Sequence, residues 1–164
     1  MDSALSVVVV GAGLAGANAA LEVRRLARDA KVTLIGSEAH LPYQRPPLSK
    51  GFLRGIETFD AALVAPRSEY ERLGIDLVLG RRVAKLESES KRIHLEGGEV
   101  FPFDRALIAT GGRKRHLLFP GADRDGVFDL RTVEDSQRIQ AAARGARKVV
   151  VIGLGFIGCE VAAS

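Results

Sequence analysis

The sequence predicts an α/β fold: a βαβ unit with a parallel sheet, an antiparallel β-meander inserted into it, and the start of a second unit of the first kind. Three observations carry that prediction. An unbroken β-branched run at residues 7–10 leads straight into Gly11-Ala12-Gly13-Leu14-Ala15-Gly16. The same arrangement returns about 140 residues later, where an apolar run ending at Ile152 meets Gly153-Leu154-Gly155-Phe156-Ile157-Gly158. Between them, over residues 83–103, the apolar period shortens from helical spacing to strict alternation.

Each element follows from its local pattern. Residues 7–10 have no polar interruption, as in a parallel strand buried on both faces. Gly11 ends that strand. Over residues 14–28, Leu14, Ala17, Leu21 and Leu26 fall near helical spacing, with Arg24, Arg25 and Arg28 largely on the other, solvated side. Residues 31–36, KVTLIG, read as a second strand. Strand, helix and strand in about thirty residues make a right-handed βαβ unit the economical topology. Residues 37–48 form a loop punctuated by Pro42, Pro46 and Pro47. Residues 67–73 read as a short helix closed by Gly74, and 75–80 as a strand. Residues 83–90, 91–98 and 99–103 alternate apolar and polar positions around a tight turn at Gly97-Gly98, the pattern of a small meander. Residues 105–110, RALIAT, return to a buried strand and stop at Gly111-Gly112. Residues 113–126 are a basic connection with Gly and Pro. Residues 132–144 read as a helix capped by Thr132 with Asp135 three positions on. Residues 148–153, KVVVIG, are the last expected strand. The expected division is a first segment at 1–115 and a connection plus second unit at 116–164.

Composition excludes several classes. At 164 residues the chain has the length of about one domain. Lys and Arg exceed Asp and Glu by only 24 to 20 and are scattered, without a basic block interleaved with aromatics, which argues against nucleic-acid binding. No apolar run approaches the ~20 residues that span a bilayer, so no membrane association is expected. The acidic N-terminus running into a glycine turn does not read as a signal peptide. The single cysteine, Cys159, forbids an intramolecular disulfide and suits a reducing cytoplasm. His40, His94 and His116 lack ligand spacing, so no metal site is expected; His94 reads as a meander residue.

The two glycine turns carry the chemistry. Gly11 allows a tight strand-to-helix turn, Gly13 lets a pyrophosphate approach the backbone, and Gly16 lets the helix pack close to the strand. The helix N-terminus opening at Leu14 and Ala15 then offers free N–H groups and partial positive charge to phosphate. Ser37 and Glu38 follow the second strand at the distance expected of a ribose-hydroxyl acceptor. This is the Rossmann-like dinucleotide arrangement. Gly153, Gly155 and Gly158 repeat the turn with only the first one or two turns of helix behind it, so that site is half specified. Two such motifs in one chain suggest a flavin site followed by a nicotinamide site.

Residues 41–55, LPYQRPPLSKGFLRG, select among flavoproteins. With VVVVGAGLAG, VTLIGSE, ALIATGGRKR, LRTVEDSQRIQ and VVVIGLGFIGCEVAA, they resemble the FAD-dependent NAD(P)H:ferredoxin reductases. These belong to the pyridine nucleotide-disulfide oxidoreductase superfamily and include rubredoxin- and putidaredoxin-reductase-like enzymes. The resemblance covers essentially the whole chain, and Arg-Pro-Pro-Leu-Ser-Lys is its most discriminating string. It implies FAD as cofactor, NAD(P)H at a site incomplete in this chain, and a ferredoxin or related small electron-transfer protein as partner. It implies that Ala15 lies in the phosphate turn, that Ser37 or Glu38 holds the adenosine ribose, and that Arg45 and Lys50 lie near the pyrophosphate and isoalloxazine. It places the backbone of Val83 at the adenine, Ala109-Thr110-Gly111 beside the cofactor, and Arg131 against the FAD. Lys50 and Glu160 are the implied catalytic pair, expected within salt-bridge range. The Cys-x4-Cys relay of related disulfide reductases is missing, which favours electron transfer from flavin to a one-electron protein acceptor.

The same resemblance implies an N-terminal portion of a longer reductase, cut short by design or by a truncated gene. An open strand at 149–152 invites pairing with the first unit or a second copy, and a strict monomer on size-exclusion chromatography would contradict the dimer. The rival reading is a catalytically silent adenine-nucleotide-binding or interaction fragment.

Overall fold

The computed structural model describes residues 4–115 and 118–164. His116, and the first three residues of the N-terminus read above, lie outside the described residues. The chain divides into two compact units. The first comprises Met1–Gln44 and Leu63–Gly111, and the second Arg45–Ala62 and Gly112–Ser164. Compactness thus breaks the chain four residues before the expected boundary, and groups the proline-rich stretch after Gln44 with the later residues.

The first unit is built on a four-stranded parallel sheet of β1 (Ser6–Val10), β2 (Lys31–Ile35), β3 (Ile75–Val78) and β7 (Arg105–Ile108), in the order β3-β2-β1-β7. Helix α1 (Leu14–Leu26) connects β1 to β2, and the short α2 (Arg67–Arg72) precedes β3. The meander is β4 (Val83–Glu87), β5 (Arg92–Leu95) and β6 (Val100–Pro102), antiparallel throughout. Strand side chains alternate between faces, and β1 uses both. Val7 and Val9 point into a core with Ala17, Ala20, Leu34 and Tyr70. Val8 and Val10 point into a second core with Ile93 and Leu95 of the meander. The sheet is therefore the middle of three layers, which is why β1 had to be apolar at every position. Each buried valine contributes about 1.5–3 kcal/mol.

Three expectations need correction. Residues 105–110 do not form a buried strand: β7 is an edge, and Leu107 and Ile108 are 43% and 57% exposed. A one-sequence reading recognises an apolar β-branched run but not whether a layer covers it. Residues 148–153 are not a strand. Val149, Val150 and Ile152 are largely exposed, and no described segment pairs with them. A lone extended segment has no partner for its backbone hydrogen bonds, so pattern alone does not make it a strand. Arg24 is not a solvated charge. Its guanidinium donates to the carbonyls of Leu73, Arg28 and Ala30, tying the end of α1 to the turns beside it.

Tyr70 is fully buried and its hydroxyl has no hydrogen-bond partner among the described residues. Burial pushes its pKa up to about 12. In the meander, Lys85, Ser90 and His94 converge on Glu87 and hold its carboxyl at about 2. His94 Nε2 lies 3.3 Å from Glu87 Oε2, so this histidine is a strand residue of β5 engaged in the meander.

In the second unit, a 3₁₀ helix, Pro46–Ser49, is followed by a second, Phe59–Ala62, and then by α3 (Val133–Ala143) and α4 (Phe156–Ala163). Prolines at the first helical positions suit a short helix, because their missing N–H groups would have no intrahelical acceptor there. The loop expected over residues 37–48 thus ends in the first of these helices. Ser136 Oγ of α3 donates to the Leu48 carbonyl at 2.9 Å, and Gln140 Nε2 to that of Phe52. Thr132 and Asp135 form a reciprocal capping box at the start of α3. Among the described residues, no helix is long and apolar enough to cross a membrane.

Candidate nucleotide site

In the first unit the glycine turn is held from several sides. Gly11 N–H donates to the Ile35 carbonyl at 2.8 Å, and Ala109 N–H to that of Val10 at 2.7 Å. The backbone at Gly11 has φ +112°, and a Cβ there would collide with the Ala109 carbonyl. Gly16 is buried, and a Cβ there would collide with the Gly11 carbonyl oxygen. Gly13 differs from both: no atom lies within 4 Å of the place a Cβ would take. At two of the glycines backbone occupies the place of a Cβ, and at the third that place is open. Gly13 is the N-cap of α1, no side chain caps the helix, and no acidic residue stands in its first turn. The N–H groups opening the helix at Leu14 and Ala15 therefore look outward with the positive end of the dipole. The turn fits a nucleotide diphosphate.

Ser37 and Glu38 follow β2 after Gly36. Tyr43 Oη, itself buried, donates to Glu38 Oε2 and fixes that carboxylate. The Glu38 carbonyl accepts Gly80 N–H, and the Gly36 carbonyl accepts Arg81 N–H, both at 2.9 Å, so residues 80 and 81 run beside 36–38. Val83 begins β4 two residues later, half-buried and paired with Leu95. Ala109 touches the turn directly, while Thr110 and Gly111 follow it on the exposed side, Gly111 with φ +71°. Gly11, Gly13, Leu14, Ala15, Gly16, Ser37, Glu38, Val83, Ala109, Thr110 and Gly111 therefore all belong to this unit.

The remaining candidates belong to the second unit. Arg45, Lys50, Arg131 and Glu160 line a pocket of about 270 Å³, with Ser49 and Ile157 among its other walls. Lys50 Nζ lies 3.3 Å from Glu160 Oε1. Ser49 Oγ donates to Glu160 Oε2 at 2.5 Å. That hydrogen bond is the main influence holding the Glu160 carboxyl below the usual carboxylate range; partial desolvation opposes it and Lys50 adds to it. The Arg45 guanidinium donates to the Arg131 carbonyl. Arg131 N–H in turn donates to Asp135 Oδ2 at 2.9 Å. Burial works against the charge on Asp135, but hydrogen bonds from Thr132 N–H, Arg138 and Arg131 N–H, with Lys114 nearby, outweigh it and lower its pKa. Three cations and one carboxylate leave the pocket net positive, suited to an anionic guest.

Gly153, Gly155 and Gly158 reproduce the first turn. Gly153 has φ +105°, a Cβ on Gly158 would collide with the Gly153 carbonyl oxygen, and Gly155 faces open space as N-cap of α4.

Sequence reasoning missed Tyr43 and Ser49 as supports, and read Asp135 only as a helix cap, not as the acceptor of Arg131 N–H. Only Asp135 had a readable signal, the Thr-x-x-Asp capping pattern. The other two act through contacts made by the folded loop.

The family model for pyridine nucleotide-disulphide oxidoreductases matches residues 5–164. "Probable ferredoxin reductase CtmF" of Castellaniella defragrans is 40% identical over all of this chain and 40% of its own length. The ferredoxin–NAD(+) reductase component of the p-cumate 2,3-dioxygenase system of Pseudomonas putida is 41% identical over 96% of this chain and 39% of its own. Putidaredoxin reductase, solved as a covalent complex with putidaredoxin, superposes with a TM-score of 0.89 at 33% identity over 99% of this chain and 40% of its own. The chain spans about 40% of the length of these relatives. With a model match over nearly every residue, and the glycine geometry that such a match requires, the chain belongs to the pyridine nucleotide-disulphide oxidoreductase family.

Proposed function

We propose that this chain carries the adenosine-diphosphate half of an FAD site in a reductase passing electrons from NAD(P)H through FAD to a ferredoxin-type iron–sulfur protein. The observation that carries the reading is the open space at Gly13, set between two glycines where a Cβ would meet backbone. The first unit's residues would bind: α1 N–H groups on the pyrophosphate, Glu38 or Ser37 on the ribose, Val83 at the adenine. In the second unit, Lys50 and Glu160 are the candidate pair for the reacting end, with Arg45 and Arg131 as further cations. The Gly153–Gly155–Gly158 turn would take a nicotinamide nucleotide phosphate.

When bound, FAD would supply the conversion of a two-electron hydride into single electrons. Lys50 would stabilise negative charge developing beside it, and its pairing with Glu160 limits the cost of partial desolvation. Cys159 is the one cysteine, so these residues offer no dithiol through which electrons could leave. The proposed acceptor is a protein that takes one electron at a time, as the ferredoxin and putidaredoxin named with the relatives suggest. The setting is the reducing cytoplasm. The edge strand β7 extends the proposal to pairing with a second copy, and a strict monomer on size-exclusion chromatography would remove that part.

The visible spectrum of the purified chain, followed by titration with FAD and ADP, tests the reading. Flavin absorbance or stoichiometric FAD uptake is the expected result. A colourless protein that takes ADP but not FAD favours an adenine-nucleotide module instead. Uptake of neither overturns both.

A further inference from the structure

Ser49 is 4% exposed and ends the 3₁₀ helix at the pocket wall. Its hydroxyl has two acceptors in reach, Glu160 Oε2 at 2.5 Å and the Pro46 carbonyl at 3.2 Å. A hydroxyl has one proton, and the shorter, charged acceptor takes it. The two oxygens of Glu160 are thereby divided: Oε2 receives Ser49 and Oε1 faces Lys50 Nζ at 3.3 Å. Lys50 is a flexible, half-exposed side chain and cannot orient the carboxylate alone. Arg45 and Arg131 line the same pocket, and Glu160 is the one charged residue of α4.

We propose that Ser49 is a positioning residue for the Lys50–Glu160 pair: its hydroxyl holds the Glu160 carboxylate in the rotation that turns Oε1 to the ammonium. The relevance of that pair to a flavin rests on the function proposed above; the clamp itself does not. A second tie runs between the same elements without touching the carboxylate. Ser164 Oγ reaches the Ser49 carbonyl at 3.0 Å and that of Glu160 at 2.9 Å. It separates positioning from mere anchoring of α4.

The experiment is a carboxyl carbon NMR titration of the full chain labelled at glutamate, without nucleotide, with the Glu160 signal assigned by its loss in Glu160→Gln. In the unsubstituted chain the Glu160 midpoint lies below the ordinary carboxylate value. Ser49→Ala raises it, Ser49→Thr retains the hydroxyl and restores it, and Ser164→Ala leaves it in place. In Lys50→Met the midpoint stays partly depressed, because the hydroxyl is still there. An unchanged midpoint in Ser49→Ala overturns the proposal. So does an equal shift in Ser164→Ala, or complete normalisation in Lys50→Met, which tests the clamp even if Ser49→Ala does not fold. Failure here leaves FAD binding untouched, and failure of FAD binding leaves this titration unchanged.

Discussion

Gly13→Val is expected to fold and to lose FAD. Nothing lies within 4 Å of a Cβ at this position, and its φ of −85° is open to any L-residue. The Cβ of the variant therefore meets no protein atom. The variant loses only the modest advantage of glycine over valine at an N-cap, about 1 kcal/mol or less. The isopropyl group would fill the space where a diphosphate must reach the α1 N–H groups. FAD affinity should fall by at least about 100-fold, or about 2.8 kcal/mol. Far-UV circular dichroism on heating checks the fold, and flavin fluorescence titration reads the affinity. Gly155→Val is the matched control: its Cβ also meets open space, at φ −73°, in the second turn. It should leave FAD affinity where it was. Unchanged binding in Gly13→Val would show that no diphosphate sits against this helix.

The residues that announced the site are those whose chemistry is set by backbone shape. A glycine at 11, 13 and 16 after an unbroken apolar strand encodes a strand, a turn and a helix start locally, so a sequence suffices to read them. Val8 and Val10 likewise had to be apolar once a layer covered each face of β1. What stayed hidden depends on contacts between distant residues. Ser49 and Glu160 are separated by more than a hundred positions, and nothing in the Leu-Ser-Lys string says which hydroxyl will meet which carboxylate. Arg24 looked like one of many surface arginines until its guanidinium was placed among three carbonyl oxygens. The error at residues 148–153 has the opposite origin. The local pattern is strongly strand-like, but a strand is a relation between two segments, and pattern reports on only one of them.

Gly16→Ala is expected to destabilise the fold severely, and Gly158→Ala, its counterpart, less. In both turns the added methyl would be driven into a carbonyl oxygen, of Gly11 in one and Gly153 in the other. The outcome depends on whether that carbonyl can retreat. Gly11 cannot: its N–H is bonded to Ile35, the following turn abuts Ala109, and the new methyl would also press on the buried Val9 side chain at 3.3 Å. Relief would require shifting β1, the central strand between two cores. Overpacking of a rigid core costs about 1–3 kcal/mol, and a clash with fixed backbone exceeds that, so about 3–5 kcal/mol is expected from a total of about 5–15. A thermal midpoint about 6–20 °C lower follows for a chain of this size. Gly153 has more room to shift, because Val149, Val150 and Ile152 before it are largely exposed and no described segment pairs with them. Gly158→Ala should therefore lower the midpoint by less than Gly16→Ala does, though its methyl too meets backbone. Thermal unfolding of the two variants side by side decides the matter. Equal losses would mean that residues 149–153 are fixed as firmly as β1, and no loss in either would mean that the first turn yields.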